Sequence, residues 1–140
     1  MESATASDAT AMVRRLVQAT NDHDLARLVD CFAEDYVNET PAHPSRGFTG
    51  REQVRKNWEQ IFAFVPDISA ELVRCAADGN TAWSEWEMRG TRRDGSLHLM
   101  RGVIIWQVHN GRAQSARFYL EPVVETNEHV DQAVLRAVAP

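Results

Sequence analysis

The clearest pattern of apolar and polar positions lies between Leu97 and Val123, where two strand-like runs meet at Asn110-Gly111. Both residues of an Asn-Gly pair tolerate the positive φ of a tight turn, so the pattern predicts a β-hairpin. Alternate positions along the two runs form an uncharged set and a mixed set. The uncharged set is Met100, Gly102, Ile104, Trp106, Ala116, Phe118 and Leu120, and the mixed set is Arg101, Val103, Ile105, Gln107, Arg117, Tyr119 and Glu121. We therefore expect a central strand pair with one apolar face and one mixed face.

Two amphipathic helices are predicted near the N-terminus. In the first, which begins at Ser7, apolar residues recur every three or four positions, and Ser7 or Asp8 can cap it. The polar cluster Asn21-Asp22-His23-Asp24 ends this helix and caps the second. The inward stripe of the second helix is Leu25, Leu28, Val29 and Phe32.

A short strand and a third helix follow. Tyr36–Thr40 has the pattern of a strand, which Pro41 ends because proline cannot donate a ladder hydrogen bond. Thr49 and Glu52 have the spacing of a capping box, which predicts that the third helix begins there. Its apolar face is Val54, Trp58, Ile61 and Phe62.

After Pro66-Asp67 the apolar period changes from that of a helix to that of a strand. Ile68–Ala77 and Thr81–Thr91 are predicted strands, each followed by a turn, and the hairpin comes next. A final helix is predicted over about residues 127–138. Helices ahead of a four-stranded antiparallel meander indicate a single α+β domain spanning residues 1–140, with a core over about 8–125.

Composition narrows the choice of partners. The 140 residues are 44% hydrophobic and 25% charged, and the net charge of −5 is spread along the chain. Because phosphate binding needs a concentrated basic face, we expect no nucleic-acid partner. No window approaches a membrane span, and no apolar leader is present. We read Cys31 and Cys75 as buried thiols of a reducing cytoplasm, with a disulfide left open.

Other sites are not indicated by the sequence. The five histidines lack the spacing of metal ligands, and neither a nucleophile motif nor a phosphate-binding glycine loop occurs. We therefore expect no metal and no nucleotide or other cofactor.

Four motifs in this order resemble a known family. They are the ATNDHDLARLVDCFAEDYV opening, the FTGREQVRKNWEQIF helix, the PD before the meander and the NGRAQSARFYLEPV ending. Over residues 8–125 they are similar to the nuclear transport factor 2-like superfamily and, within it, to the SnoaL-like branch of polyketide cyclase-like and ketosteroid isomerase-like proteins. The resemblance implies a cone in which a strongly curved antiparallel sheet wraps three N-terminal helices around a pocket. It also implies a homodimer through the convex sheet face.

The resemblance does not extend to the two best-defined activities. The catalytic positions of ketosteroid isomerases fall on Leu16, Thr40 and a position near Ile104, and the catalytic Asp of limonene epoxide hydrolases falls on Phe118. None of these residues can do that chemistry.

We expect a pocket for a small apolar, cyclic molecule. If the protein is an enzyme, cofactor-free acid/base chemistry of the cyclase, isomerase, dehydratase or hydrolase type is expected. A non-catalytic carrier or sensor, and a dimerisation module with a filled cone, are the alternatives.

Aromatic residues on the uncharged face are the candidate pocket wall, although large aromatics equally suit an ordinary core. These aromatics and the side chains expected beside them are the candidate ligand-binding residues. They are Leu16, Asn38, Thr40, Trp58, Trp86, Met88, Ile104, Trp106 and Phe118.

Candidate catalytic residues depend on strand register. Strand alternation allows either Asn38 with Thr40, or Glu39 alone, to face the pocket, and Glu39 or His43 could then act as acid or base. Trp86 is expected to face inward, because burying two acids in an apolar pocket is costly. A one-residue slip would exchange the faces of this strand. The alternative catalytic set would then be Glu85, Arg101 and Tyr119.

Overall fold

The hairpin and meander predicted from the sequence form most of a six-stranded sheet in the computed structural model, which describes residues 4–140. The helices are α1 (Ala4–Asn21), α2 (Leu25–Asp30), α3 (Arg51–Phe64) and α4 (Val130–Val138), and a short 3₁₀ turn spans Pro44–Arg46. The strands are β1 (Phe32–Glu39), β2 (Phe48–Thr49), β3 (Ser69–Asp78), β4 (Thr81–Thr91), β5 (Leu97–His109) and β6 (Arg112–Pro122).

The sheet has the strand order β2-β1-β6-β5-β4-β3. Strands β3 to β6 form the predicted antiparallel meander, and Asn110 and Gly111 adopt the positive φ values, 53° and 74°, that the hairpin turn requires. The β1–β6 pair is parallel, which is possible because a long stretch of chain connects the two strands. The α+β class and the helix-packed curved sheet are confirmed, with this one parallel pair inside it.

Two predicted helix boundaries are wrong. Helix α1 begins at Ala4, so positions 7 and 8 lie inside the helix rather than at its start. Helix α2 ends at Asp30, and Phe32 begins β1, where its ring packs edge-on against Tyr36 at 4.8 Å.

The predicted capping box at the third helix is also absent. Thr49 belongs to β2 and pairs with Val37, so Gly50 takes the N-cap position and no side chain caps the helix. The apolar face predicted for α3 does point inward: Val54 is buried, and Trp58, Ile61 and Phe62 pack against the core.

The core lies between α1, α3 and the concave face of the sheet. In β5, Gly102 has a φ of 151°, which suits glycine, and a Cβ there would overlap the backbone of Tyr119. Register shifts in β3–β4, β5–β6 and β1–β6 add to the irregularity of the sheet. The uncharged set predicted for the hairpin therefore faces the helices along a bent surface.

Helix α4 lies outside this core. It forms close to the predicted position, but its apolar side chains Val130, Val134, Leu135 and Val138 are each more than half exposed. Within the described residues, no helix is both long and apolar enough to cross a membrane.

Both cysteines are free thiols. Cys31 is buried and Cys75 half-buried, and burial raises the pKa of each thiol above its ordinary value.

Candidate functional site

A cavity of about 310 Å³ opens between α3 and the concave face of the sheet. Its apolar wall is formed by Phe32, Phe48, Val54, Trp58, Ile61, Ile68, Met88, Met100, Phe118 and Leu120. Its polar lining is Tyr36, Asn38, Thr40, Arg46, Asn57 and His98. Side chains therefore do not fill the concave side completely. A filled concave side is the expectation for a protein that acts only as a dimerisation module.

The register of β4 places Trp86 on the concave side, opposite Gly102 of β5. Trp86 and Trp106 are each 1% exposed, and their indole N–H groups both donate to Ser84 Oγ, at 2.6 and 2.9 Å. Ser84 Oγ in turn donates to the carbonyl oxygen of Ile104 at 2.8 Å. The serine thus satisfies two buried indoles, and both tryptophans form packed core beneath the cavity.

The candidate ligand-binding residues divide accordingly. Those that line the cavity are Asn38, Thr40, Trp58, Met88 and Phe118. Those that do not are Leu16, Trp86, Ile104 and Trp106, which are buried in the core with 5% exposure or less.

Strand β1 presents alternate polar residues to the cavity. The hydroxyl of Tyr36 donates to Asn38 Oδ1 at 2.7 Å, and Thr40 follows two positions later on the same side. Burial raises the pKa of Tyr36 far above its usual value, so the phenol remains a protonated hydrogen-bond donor. Of the two inward arrangements considered for this strand, the structure has Asn38 with Thr40.

Glu39 and His43, the first candidate acid/base residues, lie outside the cavity. Alternation directs Glu39 to the opposite, convex face, where it pairs with Arg117 at 2.9 Å. His43 precedes the 3₁₀ turn, and its Nε2 lies 3.1 Å from Glu121. Both groups are engaged in contacts at the surface.

The alternative catalytic set also lies on the convex face, because the one-residue slip does not occur. Glu85 pairs with Arg74 at 3.2 Å, and Arg101 pairs with Glu87 at 3.3 Å. Tyr119 is 40% exposed, and its hydroxyl accepts a hydrogen bond from Arg117 at 3.5 Å. These residues therefore lie on a charged part of the sheet surface, outside the cavity beside α3.

His98 is a cavity residue that sequence reasoning missed. It lies two positions before Met100 on β5 and pairs with Gly90, so alternation brings it to the concave side. Burial, and secondarily the positive charge of Arg92, lower the pKa of His98 below 6.5. The imidazole is therefore neutral at pH 7. Continuing the alternation of the hairpin's uncharged set from Met100 back to position 98 would have predicted that His98 faces the concave side.

Arg46 and Asn57 complete the polar lining from outside the sheet. Arg46 ends the 3₁₀ turn, and its side chain is exposed at the cavity. On α3, Asn57 Oδ1 accepts a hydrogen bond from Gln53 Nε2 at 2.9 Å. None of the described residues that line the cavity is Asp or Glu. Across residues 4–140, no group of three or more His, Cys, Asp or Glu side chains could hold a metal ion.

Comparison with known proteins places the fold. A family model described as a SnoaL-like domain matches residues 13–116. No curated protein matches the chain. Solved structures do, including an epoxide hydrolase of M. tuberculosis that resembles limonene epoxide hydrolases, with a TM-score of 0.71 and 16% identity over 83% of this chain and 84% of that one.

Two further structures come from proteins of other described activities. A candidate ketosteroid isomerase of Kribbella flavida has a TM-score of 0.69 and 20% identity, covering 89% of this chain and 85% of its own. IdmH of Streptomyces antibioticus, a candidate polyketide cyclase, has a TM-score of 0.70 and 22% identity, covering 81% and 91%. At these identities the likeness concerns the fold, since similar folds host different reactions.

Proposed function

The chain belongs to the SnoaL-like domain family, and from this premise we propose that its cavity binds a small, largely apolar, cyclic molecule. The observation that carries the proposal is the cavity of about 310 Å³, walled mainly by aromatic and aliphatic side chains. This volume lies at the lower end of ordinary ligand sites, which suits a molecule of one to three rings. The few polar side chains along the wall would fix its orientation.

Binding can be tested with N-phenyl-1-naphthylamine, an uncharged aromatic probe that fluoresces when it leaves water. The native protein should bind it, and Met100→Trp should weaken binding by narrowing the cavity. The control is Val73→Trp, which increases side-chain volume more than Met100→Trp does, but at a residue of β3 that is 44% exposed. It should leave binding unchanged. Thermal unfolding confirms that each variant is folded. Equal binding by native protein and a folded Met100→Trp variant would contradict the proposal.

A second candidate function is acid/base catalysis in the same cavity, and the position of His98 favours it over a passive carrier. Its lowered pKa keeps the imidazole neutral and able to accept a proton at pH 7. Its position in the cavity makes it a stronger candidate than Glu39 or His43, which pair with other residues outside.

Hydrogen–deuterium exchange at C2 of 1-tetralone in D₂O tests this chemistry. His98 would take the C2 proton while the electron pair remains on the ketone as an enolate, and a deuteron would return to C2. NMR should show protein-dependent exchange that rises as the pH passes the pKa of His98 from below, because only the neutral imidazole accepts a proton. His98→Gln should abolish this exchange and leave probe binding intact. Undiminished exchange in that variant would refute the role of His98, and absence of exchange in the native protein would favour the carrier.

We also propose that the protein forms a homodimer through the convex sheet face. Trp83 and Tyr119 are 43% and 40% exposed there, beside the half-buried Val103 and Ile105. Apolar side chains surrounded by charged groups are typical of protein interfaces.

A further inference from the structure

We infer that the ligand of the cavity is an organic anion, a small ring system with a carboxylate or similar group that pairs with Arg46. This inference rests on the proposed function, since it names the chemical class of the molecule bound at the same site. It depends on two observations. Arg46 has no hydrogen-bond or ion-pair partner among the described residues, and the polar groups that line the cavity offer more hydrogen-bond donors than acceptors.

Arg46 differs from nearly all other arginines of the protein. Among the described residues, only Arg14 and Arg46 are arginines with neither a hydrogen bond nor an ion pair. Arg14 lies on the outer surface of α1, whereas Arg46 lines the cavity. The unpaired charge that faces the ligand is therefore that of Arg46.

The other polar groups of the lining also favour an acceptor on the ligand. Asn38 Oδ1 is occupied by the Tyr36 hydroxyl and Asn57 Oδ1 by Gln53, so each amide can offer the ligand only N–H. Asn38 Nδ2 donates one of its two hydrogens to Thr40 Oγ1 at 3.5 Å and keeps the other. As no carboxylate of the described lining competes, the guanidinium and these amides present mainly donors. A carboxylate accepts several such bonds and forms a bidentate pair with arginine, whereas an uncharged ring system leaves the guanidinium unpaired.

Two probes that differ by one anionic group separate this inference from the proposed function. N-phenyl-1-naphthylamine is uncharged, and 1-anilinonaphthalene-8-sulfonate has the same ring body with a sulfonate. Arg46→Gln should weaken binding of the sulfonate probe about threefold to tenfold, a range suited to a partly solvated charge pair. Binding of the uncharged probe should change by less than about twofold, because the apolar wall is retained.

Arg14→Gln is the matched control, because it removes the same charge from an arginine that is also unpaired but lies away from the cavity. It should leave both dissociation constants unchanged. Arg46→Lys should retain most of the sulfonate affinity, since the positive charge remains. Added salt should weaken sulfonate binding in the native protein and have little effect in Arg46→Gln. Met100→Trp should weaken binding of both probes and so assign them to the cavity.

The possible failures are distinguishable. Unchanged sulfonate binding in Arg46→Gln, or an equal loss in Arg14→Gln, would overturn the anion inference and leave cavity binding in place. Failure of the native protein to bind the uncharged probe would instead count against the proposed function.

Discussion

The hydrogen bonds at Ser84 lead to the sharpest prediction for stability. Ser84→Ala removes the oxygen that accepts from Trp86 Nε1 and Trp106 Nε1, in a region where Ser84 itself has no exposed surface. Two buried N–H donors then lose their partner, and each unsatisfied donor costs about 1–3 kcal/mol. Since repacking recovers part of this cost, we expect a loss of about 2–5 kcal/mol, a large share of a typical domain's stability.

Urea unfolding followed by far-ultraviolet circular dichroism measures this loss without depending on tryptophan emission. The control is Ser69→Ala, because Ser69 Oγ makes only an exposed, 3.4 Å contact with the carbonyl of Arg89. It should cost less than about 0.5 kcal/mol.

A double-mutant cycle assigns the cost to the indole donors. In a background of Trp86→Phe and Trp106→Phe, no indole remains to be left unsatisfied, so Ser84→Ala should cost about 1 kcal/mol or less. A similar loss in the native and double-phenylalanine backgrounds would refute the reasoning, as would a loss below about 1 kcal/mol in the native background.

Three other predictions concern distinct parts of the chain. Gly102→Ala should destabilise the fold by about 2 kcal/mol or more in urea unfolding, because its φ and its approach to the Tyr119 backbone exclude a Cβ; native stability would contradict this. Deleting residues 126–140 should lower stability by less than about 1 kcal/mol, since the helix there is exposed; a larger loss would reveal a docked helix. Sedimentation should show a dimer at micromolar concentration that Trp83→Glu makes monomeric, and a native monomer would refute the convex interface.

The sheet could be predicted well from the sequence because its signals are local. Strand β4 has the predicted bounds, Thr81–Thr91, and the Asn110-Gly111 turn determines the hairpin. The inward position of Trp86 followed from the cost of burying acids, and the structure has it.

The cavity was harder to predict because its shape depends on partners distant in sequence. Trp106 has the apolar pattern of a pocket wall, but a hydrogen bond to Ser84, 22 positions away, holds it in the core. Arg46 ends the three-residue 3₁₀ turn between β1 and β2, which is too short for any periodicity to indicate the direction of a side chain. Phe32 fits the apolar stripe of a helix and the face of a strand equally well, and its contacts with Tyr36 and Trp106 favour the strand.

The arrangement of the four tryptophans also provides the protein with separate intrinsic reporters. Trp58 lies on the cavity wall, Trp83 is exposed on the convex face, and Trp86 and Trp106 are enclosed together. Emission of the enclosed pair should stay blue-shifted and constant while the fold is intact. Quenching of Trp58 emission would therefore report ligand binding in the cavity. A blue shift of Trp83 emission would report that a partner subunit covers the convex face. Replacing Trp58 or Trp83 singly by phenylalanine assigns each signal, so that the two events can be followed independently.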